Sequence, residues 1–212
     1  MISHSGVHQE VGERNVYQVL NRYISYLLWV TVLVYILGMI TYGDSFTFWD
    51  KAYSHIGSIR TVSGNPNTLS LLIFGLGMLL SSWICIRSSN ILPGQLNHYF
   101  FRLCGVGYLL LIVPCDLINL VHSIGGALVF GTLWLFTTLH LKKLYHHVHR
   151  YKIYLYHFIL QGTVLPYAFL YAIRSPAQQS VQKLALFGLM LILKIVIIEH
   201  VRIIQNSAAR TL

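Results

Sequence analysis

The sequence predicts an all-α fold, a polytopic membrane bundle of six transmembrane helices. Three observations carry this. Hydrophobic residues make up 55% of the 212 positions and charged residues only 10%, against roughly 25% charged in an ordinary soluble protein. Mean hydropathy is +0.61, and the apolar residues fall in long blocks. No block alternates apolar and polar residues over the ten or so positions that a barrel strand needs. A soluble domain, a disordered chain and a fibrous repeat are thereby excluded.

A spanning helix needs about 20 mostly apolar residues, each advancing ~1.5 Å across a ~30 Å hydrocarbon layer. Six stretches qualify: Tyr23–Tyr42, Thr68–Ile86, Tyr99–Cys115, Leu117–Leu141, Ile153–Ile173 and Lys183–Ile204. The first is preceded by a polar segment, 1–22, with Arg14 and Arg22. Its apolar core ends without a small-residue cleavage pattern, so it is expected to remain as an anchor rather than be removed as a signal. The third stretch stops at Pro114-Cys115-Asp116, which predicts a very tight turn into the fourth. The transmembrane domain is thus expected over 23–204, with a short tail at 205–212.

Orientation follows from the basic residues beside the helix ends. Arg14, Arg22, Arg87, Arg102, Lys142, Lys143, Arg150, Lys152, Arg202 and Arg210 fall on one side, and Lys51, Arg60, Arg174 and Lys183 on the other. The bias places both termini in the cytoplasm, and the plasma membrane is the expected location. The formal charge of +9 does not indicate nucleic acid, because the cations are scattered between apolar blocks. Membrane lipids, a membrane-protein partner or a second copy of the chain are the expected partners.

Gly43–Asn67 is the long outer connection. Trp49, Ala52, Tyr53, Ile56 and Ile59 recur at three- and four-residue steps, which predicts a short interfacial helix. It is either a rim segment or a lid over a cavity. Asn65-Pro66-Asn67-Thr68 is expected to form a turn and supply a capping residue for the second helix. Ser123, Ala127 and Gly131, four apart, predict a close helix contact, with Gly75, Gly77, Gly105 and Gly107 serving the same packing. Cys85, Cys104 and Cys115 make no metal or disulfide pattern and read as small core residues.

The polar groups inside or beside the spans hold the functional candidates. Asp116, Asn119 and His122 cluster at the outer end of the third–fourth hairpin, level with Asp44, Asp50, Ser54 and His55. A carboxylate with two imidazoles is a ligand set that zinc accepts and also a proton-transfer pair. The plainer alternative has Asp116 capping the fourth helix and His122 bonding a neighbouring helix. Asp116 and His122 are expected to form one coupled polar unit with Ser54 or His55 facing it. At the inner level, His98, His140, His157 and His200 match the depth of axial haem ligands. KKLYHHVHRYK, residues 142–152, holds His146, His147 and His149, either a weak metal site or a basic loop toward anionic headgroups. Lys194 stands mid-span and needs a partner on another helix or must snorkel. Glu199 and Arg202, three apart, can pair, and Pro166 predicts a kink. No cofactor is assigned.

YSHIGS (53–58), NPNTLSLLIFGLGM (65–78), PCDLINLVHSIGGALVF (114–130) and SPAQQSVQKLALFGLMLIL (175–193) resemble a bacterial and archaeal membrane family catalogued as domain of unknown function nine-nine-eight. The resemblance spans roughly residues 20–205. It implies a six-helix bundle without established activity, and Ser54, Asp116 and His122 match its recurring polar positions. The likeness to the ceramidase and progestin-receptor superfamily is looser and fails on ligand placement, since His200 alone stands in the last helix, at the wrong membrane face. The leading functional reading is an integral membrane protein that binds lipid or a membrane partner. The competing readings are an enzyme acting on a lipid-linked substrate, with Asp116, His122, Ser54 and His55 at its outer-rim site, and a small transporter or b-type cytochrome.

Overall fold

The computed structural model describes the backbone of residues 4–210 and the side chains of 15–206. Its six long helices are α1 (His4–Thr41), α2 (Thr68–Ile91), α3 (Gln95–Leu111), α4 (Asn119–Leu144), α5 (Arg150–Ala172) and α6 (Gln178–Arg210). Five of them contain stretches long and apolar enough to cross a membrane: Asn15–Thr41, Thr68–Ile91, Asn119–Leu144, Arg150–Ala172 and Gln178–Asn206. The remaining helix, α3, has 17 residues. The segment before Tyr23 continues α1 back to His4.

Each break has a local cause. Pro93-Gly94 separates α2 from α3, with Gly94 at φ +86°, a conformation that favours glycine. Pro114 ends the approach to α4, because its ring removes an N–H and restricts the preceding residue. Inside the helices, hydroxyls return to carbonyls four residues back: Thr31 to Leu27, Thr132 to Leu128, Thr137 to Leu133 and Thr163 to Ile159, all at 2.6–2.9 Å. Such bonds let hydroxyls sit in an apolar interior.

Consecutive helices run in opposite directions, so the ends of α4 and α6 and the starts of α1 and α5 share one end, here called inner. In the packing, α1, α2, α3, α4 and α6 form a closed circuit, and α5 lies outside it against α6 and α4. Leu189, Met190, Leu193, Val196 and Ile197 of α6 are wholly buried, together with Phe74, Phe101 and Phe136. Trp29, Leu33, Ile40, Leu72, Leu76, Phe158 and Phe169 point outward.

The backbone approach of α3 and α4 uses the expected Gly107 but not the expected stripe of α4. A methyl group on Gly107 would stand 2.9 Å from the Gly125 carbonyl oxygen, and one on Gly125 would stand 2.8 Å from that of Gly107. Gly131 and Gly75 have nothing within 4 Å of that position, and Ala127 is exposed. The intimate face of α4 is therefore one step round from Ser123, Ala127 and Gly131. Lys194 finds the partner it needs on α1: its ammonium donates to the Asn21 carbonyl at 3.0 Å, the Asn21 side-chain oxygen at 2.5 Å and Ser25 Oγ at 2.5 Å.

Candidate functional site at the outer rim

The loop between α1 and α2 folds inward over the helix ends. The interfacial helix expected from Trp49 to Ile59 is one 3-10 turn, Tyr53–Gly57. Ala52, Tyr53 and Ile56 are buried, whereas Trp49 is 65% and Ile59 41% exposed, so the supposed face is divided. Close packing explains the seating. A methyl group on Gly57 would lie 2.4 Å from the Phe74 ring, and one on Gly38 2.3 Å from Ile56.

Asp116 closes this loop. Both of its carboxylate oxygens accept the Ile59 N–H at 3.0 Å, and Oδ2 also accepts the Arg60 N–H at 3.0 Å. It does not cap α4, whose N-cap is Ile118 without a side-chain bond. Its neighbour Cys115 donates its thiol to the Ser54 carbonyl at 3.6 Å. The Cys115 thiol is pushed up to about 11, first by burial and then by the Asp116 charge. Ser54 therefore enters the site through its main chain. His55 does likewise, since its carbonyl accepts from Ser58 Oγ at 2.7 Å and from the Ser58 N–H at 3.1 Å.

His122 is buried and stacks on Phe74 with ring centroids 6.2 Å apart. Its Nδ1 lies 2.8 Å from the Val113 carbonyl, which can only accept, so Nδ1 carries the proton. In the neutral ring, Nε2 is then a lone pair. That atom is buried without a hydrogen-bond partner among the described residues, as is His55 Nδ1. Burial, followed by the Lys51 and Lys183 charges, lowers the His55 pKa, and Asp116 opposes them. Asp116 and His122 thus share a neighbourhood with His55. Among the described residues no hydrogen bond joins the two: one holds the loop, the other the turn that ends α3.

Other ties were not expected. Asn67 precedes α2 as its N-cap but makes no capping bond; its amide donates to the Ile56 and Ser58 carbonyls at 3.1 and 2.9 Å. Ser70 Oγ lies 3.0 and 3.1 Å from the Gly38 and Ile56 carbonyls. Lys183, wholly buried, donates to the Lys51 carbonyl and sits 4.7 Å over the Phe48 ring, while Ser180 donates to the Trp49 carbonyl. The available signal for Lys183 was a cation opening an apolar helix while Phe46, Phe48 and Trp49 stood ready in the loop. Asp44 accepts from Asn65 at 2.7 Å and from the Ser63 N–H at 3.3 Å. Hydrogen bonds from Thr61 and Asn65 hold its carboxyl well below the usual range.

At the inner end, the four level histidines do not converge. His140 Nδ1 and His200 Nε2 are 3.1 Å apart and bond to one another, Tyr17 stacks on His200 at 4.8 Å, and His140 Nε2 reaches Asn97 at 3.4 Å. His157 lies instead along the outer face of α5. No three His, Cys, Asp or Glu side chains are grouped to hold a metal ion among the described residues.

Comparison with known proteins finds no matching family model, curated relative or solved structure. The chain is a helical protein of membrane character, and its outer rim is a loop clasped over the helix ends.

Proposed function

We propose that the chain is a six-span protein of the plasma membrane, α3 included, with both ends cytoplasmic, and that it works by binding lipid or a membrane partner. Membership of the family known as domain of unknown function nine-nine-eight is part of the same proposal. The observation that carries the binding role is the placement of Asp116. The carboxylate nearest His55 and His122 is engaged by two backbone N–H groups of the loop, so the rim acts as a fixed cover. The outward Trp29, Leu33, Ile40, Leu72 and Leu76 supply apolar surface for lipid.

A second reading, an outer-rim enzyme or polar-ligand site, rests on the unpartnered nitrogens of His55 and His122. Lipid, metal and haem analysis of the detergent-purified protein separates the two. Retained phospholipid without stoichiometric zinc or a Soret band supports the first. Zinc lost on substitution of His55 or His122 supports the second. Reporter fusions at 55 and 147 test the orientation, and cytoplasmic access at 55 would overturn it.

A further inference from the structure

The inner end carries charge that the chain does not balance. Lys142, Lys143, Arg150 and Lys152 gather at the α4–α5 connection. Among the described residues the one ion pair is Arg202 with Glu199, at 3.3 Å, so none of these four cations has a carboxylate partner. The Arg150 guanidinium lies 5.6 Å over the Tyr145 ring, an arrangement that leaves its N–H edge free to donate. His146, His147, His149, Arg150, Lys152 and Glu199 line one concavity of about 510 Å³. Glu199 is already matched by Arg202, and the others present donors.

This basic concavity adjoins an apolar one. A shallow groove of about 790 Å³ follows the outer face of α5, lined by Tyr154, Phe158, Gly162, Leu165 and Phe169 among others. The Tyr145 hydroxyl, beside the basic concavity, lies 3.2 Å from that of Tyr154 at the head of the groove. From Tyr154 to Phe169 the groove runs ~22 Å at ~1.5 Å per residue, longer than the ~15 Å half-thickness of a bilayer's hydrocarbon. A free phosphate would use the donors and leave the groove idle. A lipid uses both.

We propose that this paired feature is a binding site for one anionic phospholipid, its phosphate held by Arg150, Lys152 and the loop histidines and an acyl chain lying along α5. The proposal deepens the lipid-binding reading above and rests on it. Anionic headgroups are attracted by ~1 kcal/mol per nearby Lys or Arg, and a single such lipid matches cations that have no internal partner. A methyl group at Gly162 would meet nothing within 4 Å. A larger side chain there occupies the groove without pressing on the bundle.

The test is native mass spectrometry of the full chain titrated with phosphatidylglycerol and, separately, with phosphatidylcholine. Wild type should prefer phosphatidylglycerol. Arg150→Gln with Lys152→Gln should weaken it about 30-fold, the equivalent of ~2 kcal/mol for two cations, and Arg150→Lys with Lys152→Arg should restore it. Arg87→Gln with Arg102→Gln, exposed cations outside the concavity, should change nothing. Gly162→Leu should weaken the long-chain lipid while leaving a short-chain phosphatidylglycerol bound. Equal retention of both lipids in every variant would overturn this site and leave general lipid binding standing. Retention of neither lipid would remove both readings. Full displacement of the lipid by inorganic phosphate, with Gly162→Leu silent, would overturn the lipid assignment in favour of a soluble anion.

Discussion

Replacing Asp116 by alanine removes the acceptor that holds the Ile59 and Arg60 N–H groups, each at 3.0 Å. Hydrogen bonds to a charged acceptor contribute ~1.5–3 kcal/mol when sheltered. Ile59, Arg60 and Asp116 are exposed, so water takes over part of the role, and ~1 kcal/mol for each N–H is the appropriate scale. A local loss of ~2 kcal/mol raises the open fraction of the loop about 30-fold. The assay is hydrogen exchange in detergent, read at residues 59 and 60. Asp116→Asn keeps one acceptor oxygen without its charge and should give about half the effect in free energy. His122→Gln, which disturbs the tie to Val113 and the stacking on Phe74 but neither of the Asp116 bonds, should raise exchange at these two amides far less. Unchanged exchange at 59 and 60 in Asp116→Ala, or an equal rise throughout the bundle, would refute the clasp.

Two other substitutions probe the packing and the rim. Gly125→Ala should lower the melting temperature in detergent through an overpacking cost of ~1–3 kcal/mol, because its new methyl meets backbone. Gly131→Ala meets open space and should leave the melting temperature unchanged or higher, with up to ~1 kcal/mol gained from helix propensity; the reverse order would contradict the α3–α4 contact. Cys115 should react with a maleimide at pH 8 about 100-fold more slowly than a thiol at its ordinary value of 9.0, since at about 11 it remains protonated across neutral pH. Removing the neighbouring charge in Asp116→Asn should speed it up. Cys85 and Cys104, buried against one another at 3.6 Å, should stay silent in this assay.

The helices were legible because apolar run length decides them: a stretch such as Thr68–Ile86 has too few polar groups to be anything but buried or in lipid. Their ends were less so, because α2 runs on through Arg87, Ser88, Ser89 and Asn90, residues that hydropathy reads as an exit. The pairing of Glu199 with Arg202, and the choice for Lys194 between a second helix and snorkelling, followed from spacing and the cost of an isolated charge. The identity of the Lys194 partner did not, since Asn21 lies in a segment that reads as polar approach to α1 and Ser25 in the first turn of the span that reads as apolar. The rim residues Asp116, His122, Ser54 and His55 were found as a neighbourhood, but their bonds were not. The sequence shows side chains, whereas Asp116 is satisfied by backbone N–H groups and Ser54 and His55 contribute carbonyls. Gly107 was expected to pack closely, but its partner Gly125 was missed for a related reason. Gly125 and Gly126 are adjacent, and only the rotation of α4 decides which of them meets α3.

On the six-span reading proposed above, the length of α3 bears on the surrounding bilayer. Seventeen residues rise ~26 Å, a few ångströms less than the ~30 Å that lipid tails occupy. The turn that follows, with Asp116, Leu117 and Ile118 exposed, would then mark the interface beside α3, tied to the loop through Cys115 and Asp116. Lipid would meet that shorter span by local thinning of the bilayer, so the thickness this bundle prefers would differ from one side to the other, lower against α3 than against the longer α1, α2 and α6.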